Sequence, residues 1–246
     1  MNDYSTVRNW ILTATAFEDV SESQRYAGDV DGNKQFTVAD MTKISNIIFY
    51  GDKNGAAPAG AKGQLTVVDN DEITLVKESE ETSVFGKTIR VAVNVAHNVA
   101  FTAGQFDVKL PEGMKIASQS LTERGNGHEL LCNEIGNGLY RMVAATIDNT
   151  KFNGRTGALV LIDVEVSGSY TGGEISVSNV IFSDANGISY SIVGPGNDGE
   201  TTGIDGVTAP TVKERIYSIG GQMKKALKKG INIIVGEDGK GHKVVK

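Results

Sequence analysis

Between Asp29 and Asp40 the chain reads D-V-D-G-N-K-Q-F-T-V-A-D, a run in which oxygen donors recur at short, regular spacing. With Asp29 as the first position of a loop, Asp31 falls third, Asn33 fifth, Gln35 seventh and Asp40 twelfth. Calcium requires several hard oxygen ligands at once, and side chains on alternate residues of a tight loop converge on one point. Asp29, Asp31, Asn33 and Asp40 would supply side-chain oxygens and Gln35 its backbone carbonyl, so Ca2+ is the cofactor these residues predict. The last carboxylate must stand on the first turn of the following helix. Met41–Tyr50 reads as that helix, with Ile44, Ile47 and Ile48 at helical spacing along its apolar face.

Against the general EF-hand loop two positions differ. Asp40 stands where Glu is usual, and Lys34 occupies position six, where Gly makes the sharp turn. A lysine at positive φ costs about 1 kcal/mol, and its ammonium adds a like charge near the cation, so modest calcium affinity is expected. The competing reading is an acidic surface turn that binds nothing. Gly28–Gly51, with G-D-V-D-G-N, then F-T-V-A-D, then a helix ending I-I-F-Y-G, resembles a dockerin repeat. Dockerins usually carry Asp at the twelfth position, which Asp40 matches, and Asp-Gly at five and six, which Asn33-Lys34 does not.

Dockerin repeats come in pairs, and a partner helix lies upstream. Aligning Val38–Gly51 with Met1–Ala14 places Asp40 on Asp3, Ile44 on Val7, Asn46 on Asn9, Ile47 on Trp10 and Ile48 on Ile11, each 37 residues apart. The calcium loop belonging to this first helix is expected before Met1, and the segment is read as trimmed. Thr13–Gln24 reads as a polar connection between the helices.

The 30 glycines against 4 prolines in 246 residues predict many tight turns. A net charge of −6 excludes the usual electrostatics of nucleic-acid binding and suits calcium with protein or neutral sugar partners. A single cysteine, Cys132, rules out an internal disulfide and, in an L-L-C run, reads as a small buried residue. No signal peptide and no apolar run of spanning length is present.

Gly51–Gly63 is small and Gly-rich and reads as a linker, and from Gln64 the hydrophobic period changes to two. Strands are expected over Thr88–Ala96 (Ile89, Val91, Val93 and Val95 on one face), Phe106–Leu110, Ala158–Val166 and Glu174–Phe182. Gly/Asn turns punctuate them at short intervals, as in a two-sheet β-sandwich. The ordered phrases V-A-V-N-V, A-G-Q-F-D-V-K-L, L-Y-R-M-V-A-A-T, G-A-L-V-L-I-D-V-E-V and I-S-V-S-N-V-I-F-S-D-A-N-G resemble a cohesin-type jelly roll. Carbohydrate-binding modules share that fold class. After a second linker, residues 194–209, the end of the chain is similar to the small β tails of type IX secretion sorting domains. Strands are expected there at Ile216–Ile219, Ile231–Val235 and Lys243–Val245, with a solvated face at Lys224, Lys225, Lys228 and Lys229.

Catalytic patterns are missing. His97, His128 and His242 lie apart, and neither a G-x-S-x-G elbow nor a P-loop occurs. The acidic groups Asp69-Asp71-Glu72 and Glu78-Glu80-Glu81 are expected at strand ends or a turn, and Tyr140, Tyr170 and Tyr190 at the core or its rim. The expected chain is mainly β with a small α module. Its parts are a dockerin-like calcium loop-helix pair over 1–51, a linker over 52–63, a cohesin-like jelly-roll sandwich over 64–193 and a small C-terminal β domain over 210–246. The resemblances imply a non-catalytic, exported or cell-surface scaffolding protein. It would dock protein partners, within the molecule or by self-association, in a polysaccharide-utilisation context. The alternative is carbohydrate binding by the sandwich, with the calcium module purely structural.

Overall fold

The structure is a computed structural model and describes residues 2–51, 66–67, 71–83, 86–192, 203–204, 215–218, 223–224, 231–235 and 241–245. Helices α1 (Asn2–Leu12), α2 (Glu22–Gly28) and α3 (Val38–Tyr50) come first. The short α2 begins inside Thr13–Gln24, the stretch expected to be a plain connection, and runs beyond it to Gly28. Ser21 and Gln24 start it with a capping box, a local signal that outweighs the polar composition. Helix α3 begins three residues before the expected Met41, because Thr37 caps it and Asp40 closes a second capping box.

Strands β1 (Thr66–Val67) to β11 (Gly203–Ile204) build a two-sheet sandwich. Between those two lie β2 (Glu72–Ser83), β3 (Gly86–Ala96), β4 (Phe101–Lys109), β5 (Met114–Leu121), β6 (Glu129–Gly136), β7 (Leu139–Ala145), β8 (Ala158–Val166), β9 (Ile175–Asp184) and β10 (Ser189–Ser191). One sheet has the order β1-β10-β9-β4-β7-β6, with β11 also on β9; the other is β2-β3-β8-β5. All pairings are antiparallel except β1 with β10. The inward rows of both sheets, such as Ile89, Val91, Val93 and Val95 of β3 with Phe106 and Val108 of β4, form one core, as the alternation predicts.

Strand β2 is the main departure. Glu72 opens it, at a strand end as expected, but Glu78, Glu80 and Glu81 lie within it rather than at a strand end or in a turn. Its outer half is exposed, so these carboxylates are solvated all the same, and Glu80 pairs with Lys87 at 2.6 Å. Asp71, just before β2, is buried and accepts from Asn98 N–H at 2.8 Å, while Asp69 lies outside the described residues.

Strands β12 (Arg215–Ser218), β13 (Met223–Lys224), β14 (Ile231–Val235) and β15 (Gly241–Val245) form a separate four-stranded sheet, one strand more than expected. The 52–63 linker, the Lys225, Lys228 and Lys229 positions and the side chain of Lys224 lie outside the described residues. Gly203–Ile204, within the expected second linker, pairs with β9. Among the described residues no helix is long and apolar enough to cross a membrane.

Candidate metal centre and docking face

The loop from Asp29 to Asp40 joins α2 to α3, and its own side chains hold it in shape. Asp29 accepts from the N–H groups of Asn33 (2.9 Å) and Lys34 (3.0 Å). Asp31 accepts from Asn33 N–H at 3.0 Å and from Asn33 Nδ2 at 3.0 Å. Gln35, on the exposed rim, donates its N–H to Asn33 Oδ1 at 2.7 Å. Asp40 accepts from Val30 (2.9 Å) and Asp31 (3.2 Å) on Oδ1 and from Thr37 (2.9 Å) on Oδ2, so the last carboxylate ties the loop's start to the helix N-terminus. Lys34 takes the left-handed conformation, φ +65°, that its position in the loop requires of it.

Asp29, Asp31 and Asp40 each present a carboxylate oxygen, and these three lie within 4.8 Å of one another. Asp40 is fully buried and Asp31 nearly so. Burial, reinforced by the Asp31 charge, pushes Asp40 well above the usual carboxylate range, and burial pushes Asp31 up to about 6. Two buried carboxylates converging with the half-buried Asp29 repel one another when ionised unless a cation joins them. The donor set is all oxygen, which fits a hard divalent ion such as calcium. Of the residues named from spacing, Asp29, Asp31 and Asp40 are brought together, while Asn33 lies beside them, hydrogen-bonded to Asp31, and Gln35 is on the exposed rim of the same loop.

Helices α1 and α3 lie on the outer face of the first sheet. Val7 and Ile11 of α1 and Val38, Met41 and Ile44 of α3 join Ala103, Val143, Ala145 and Ile181 of β4, β7 and β9 in a second apolar core. Each such side chain contributes roughly 1.5–3 kcal/mol when fully buried. Alanines at 103 and 145 keep this row low, so the helices approach closely. Strand β4 is consequently buried on both faces from Phe101 to Val108.

Polar side chains of the sheet meet the helix ends. Arg141 Nη1 donates to Ile11 O at 3.2 Å, a carbonyl that also accepts from Ala14 N–H, and Asn133 Nδ2 donates to Leu12 O at 3.1 Å, so the sheet meets the carbonyls where α1 stops. Gln105 Oε1 accepts from Val38 N–H at 3.0 Å, at the start of α3. Arg141 is held by a two-pronged pair with Asp107, at 2.7 and 2.8 Å, and Asn179 also donates to Asp107. Asn149 donates to Thr42 O and Asn46 Oδ1, and Arg8 pairs with Glu129 at 3.0 Å. Gln105, Asp107 and Arg141 lie on the rows of β4 and β7 that alternate with the core rows, and alternation alone cannot tell water from a covering helix there.

His97 and His128 are held by structural contacts, and the side chain of His242 lies outside the described residues. His97 Nε2 accepts from Arg124 at 3.1 Å while Nδ1 bonds Val99 O, and His128 lies between the Gly125 and Thr102 carbonyls, stacked on Phe152. Tyr170 is in the core, its hydroxyl donating to Gly173 O at 2.7 Å, and Tyr140 and Tyr190 pack at its rim. Cys132 is partly buried, its thiol pushed up to about 11 by burial.

Two stacked sheets with a helical module laid on one outer face define a mainly β sandwich of the jelly-roll kind. No family model and no curated protein matches the chain. Among solved structures it is similar to cohesin domains. A non-cellulosomal cohesin from the archaeon Archaeoglobus fulgidus aligns with a TM-score of 0.39 at 12% identity, over 50% of this chain and 83% of that one. The sixth cohesin of scaffoldin B from Acetivibrio cellulolyticus, in complex with a Cel5 dockerin, gives 0.41 at 11%, over 55% and 97%. The seventh ScaB type I cohesin from Pseudobacteroides cellulosolvens gives 0.42 at 14%, over 57% and 94%.

Proposed function

We propose that the chain is a non-catalytic, exported or cell-surface docking protein, in which a calcium-ordered loop-helix module occupies the docking face of its own sandwich. The observation that carries this reading is the seating of α1 and α3 on β4, β7 and β9, with sheet side chains meeting the helix ends. An apolar centre rimmed by hydrogen bonds to backbone is the composition of a recognition surface. In the terms of the resemblances, the dockerin-like and cohesin-like halves are partners within one chain. Calcium, held by Asp29, Asp31, Asn33, Gln35 and Asp40, would relieve the repulsion in the loop that opens α3 and so fix the helix that carries half of the contact.

A protease site placed in the 52–63 segment tests this. After cleavage, in calcium, the helical and sandwich halves are expected to co-elute on size exclusion at micromolar concentration, and Asp107→Ala to separate them. Wild-type halves that part on cleavage would sink the docking reading.

A further inference from the structure

A cavity of about 440 Å³ opens where the helical module meets the sandwich, within the range of about 300–1,000 Å³ that small-molecule sites occupy. One wall is α1, through Tyr4, Ser5 and Arg8. The other is the sandwich, through Asn126 and Gly127 ahead of β6 and through Thr146, Asp148 and Thr150 after β7. The Tyr4 hydroxyl donates across the seam to Thr146 O at 3.3 Å, which fixes the two walls against each other.

Polar groups of both kinds meet here. Arg8 supplies donors: its Nη1 binds Glu129 at 3.0 Å, while its buried Nε–H has no acceptor. Asp148 supplies acceptors, and takes the Thr150 N–H and hydroxyl on Oδ1 at 3.2 and 2.9 Å. The Thr150 and Thr146 hydroxyls hold its carboxyl below the ordinary value, so it is ionised at neutral pH. The Ser5 and Thr150 hydroxyls and the Asn126 amide can serve either way. Glu129 and Asp148 outnumber the one guanidinium in the lining, which disfavours an anion. The one aromatic ring there, Tyr4, is only 7% exposed, so it offers no cage for an organic cation. An apolar ligand would leave the polar walls unpaired.

We propose that this cavity binds a neutral sugar, held between α1 and the sandwich. The site rests on the seating of α1 that the docking reading uses. A sugar hydroxyl donates and accepts at once, and so fits between a guanidinium and a carboxylate. Arg8, short of an acceptor at Nε, gains one by turning toward the ligand. Because the ligand touches both walls, its binding favours the seated module by mass action.

The test is saturation-transfer NMR on the full chain, with thermal melting alongside. The probes are the methyl glycosides of glucose, galactose, mannose and xylose, with inorganic phosphate and ethylammonium as controls. At least one glycoside is expected to bind at roughly millimolar Kd and to raise the melting temperature. Arg8→Met and Asp148→Asn should each weaken that binding about tenfold, and Ser5→Ala serves should either variant fail to fold. Glycoside binding that none of these substitutions weakens places the sugar elsewhere and overturns the site. Binding of phosphate or ethylammonium in place of the glycosides overturns the ligand class. No glycoside bound at about 50 mM, with cleaved halves that still co-elute, overturns the site and leaves the docking reading standing. Halves that part on cleavage, with no glycoside bound, overturn both.

Discussion

Asp40 carries two duties that a substitution separates. It is a proposed cation donor, and it is the acceptor for the N–H groups of Val30, Asp31 and Thr37. Asp40→Ala leaves those donors facing a void, so it is expected to destabilise the protein by about 2–4 kcal/mol even in chelator. Asp40→Asn retains an acceptor and relieves charge repulsion, so it should cost less while still abolishing calcium binding. Urea unfolding in chelator distinguishes the two; equal losses would mean that the hydrogen bonds are not what holds the loop. His97 sets a second expectation. Burial, and the Arg124 charge after it, hold its pKa below the ordinary value. The unfolded chain therefore takes up this proton at about pH 6.5, before the folded chain does, and stability falls as pH drops below that point. The raised carboxylates of Asp31 and Asp40 work in the opposite direction, so the measurement belongs in saturating calcium, which keeps them ionised. There, unfolding free energy should fall between about pH 7 and pH 5.5, with a shallower slope in His97→Gln. His128 is lowered in the same direction and should maintain part of the slope. An identical slope in the variant would show that His97 contributes nothing.

At the scale of elements, the Arg141–Asp107 pair links β4 and β7 to the end of α1, with side chains only 14% and 6% exposed. Asp107→Ala strands a buried guanidinium and is expected to cost about 3–5 kcal/mol, whereas Asp107→Leu with Arg141→Met should recover much of the loss. Denaturant unfolding of the single and double variants decides this; a single-variant loss under about 0.5 kcal/mol would remove the pair from the docking argument. The same strands show what the sequence made legible. The inward rows follow from alternation, and the loop follows from oxygen spacing, because both are short-range patterns. The outer row was opaque: Gln105, Asp107 and Arg141 have the composition of a solvated face, and only the helices 60 and more residues upstream bury them. Strand β2 was hidden for the converse reason, since its glutamates belong to an exposed outer half that has no apolar rhythm. Helix α2 needed its capping box to be weighed above its polar composition.

At the scale of the molecule, docking within one chain is a matter of tether length. Residues 52–65 connect α3 to β1, and a short tether of this length would hold the module near its own sandwich at roughly millimolar effective concentration. The interface itself does not distinguish one copy of the chain from another, because every contact from α1 and α3 to β4, β7 and β9 can be made in trans. Wild-type chain is therefore expected to be monomeric at micromolar concentration, its docking face filled from within. Deleting about ten residues of the connection leaves a reach of only about 3.3–3.6 Å for each remaining residue, which is expected to disfavour return to its own sandwich. The module should then seat on a second copy, whose own module seats on the first, closing a swapped dimer. Light scattering would show the doubled mass. Asp107→Ala in the same background should return it to monomer with protease-sensitive helices, since the contact that builds the dimer is the one the substitution breaks. A shortened chain that remains monomeric, with helices as protected as before, would mean that the module is held by something other than this face.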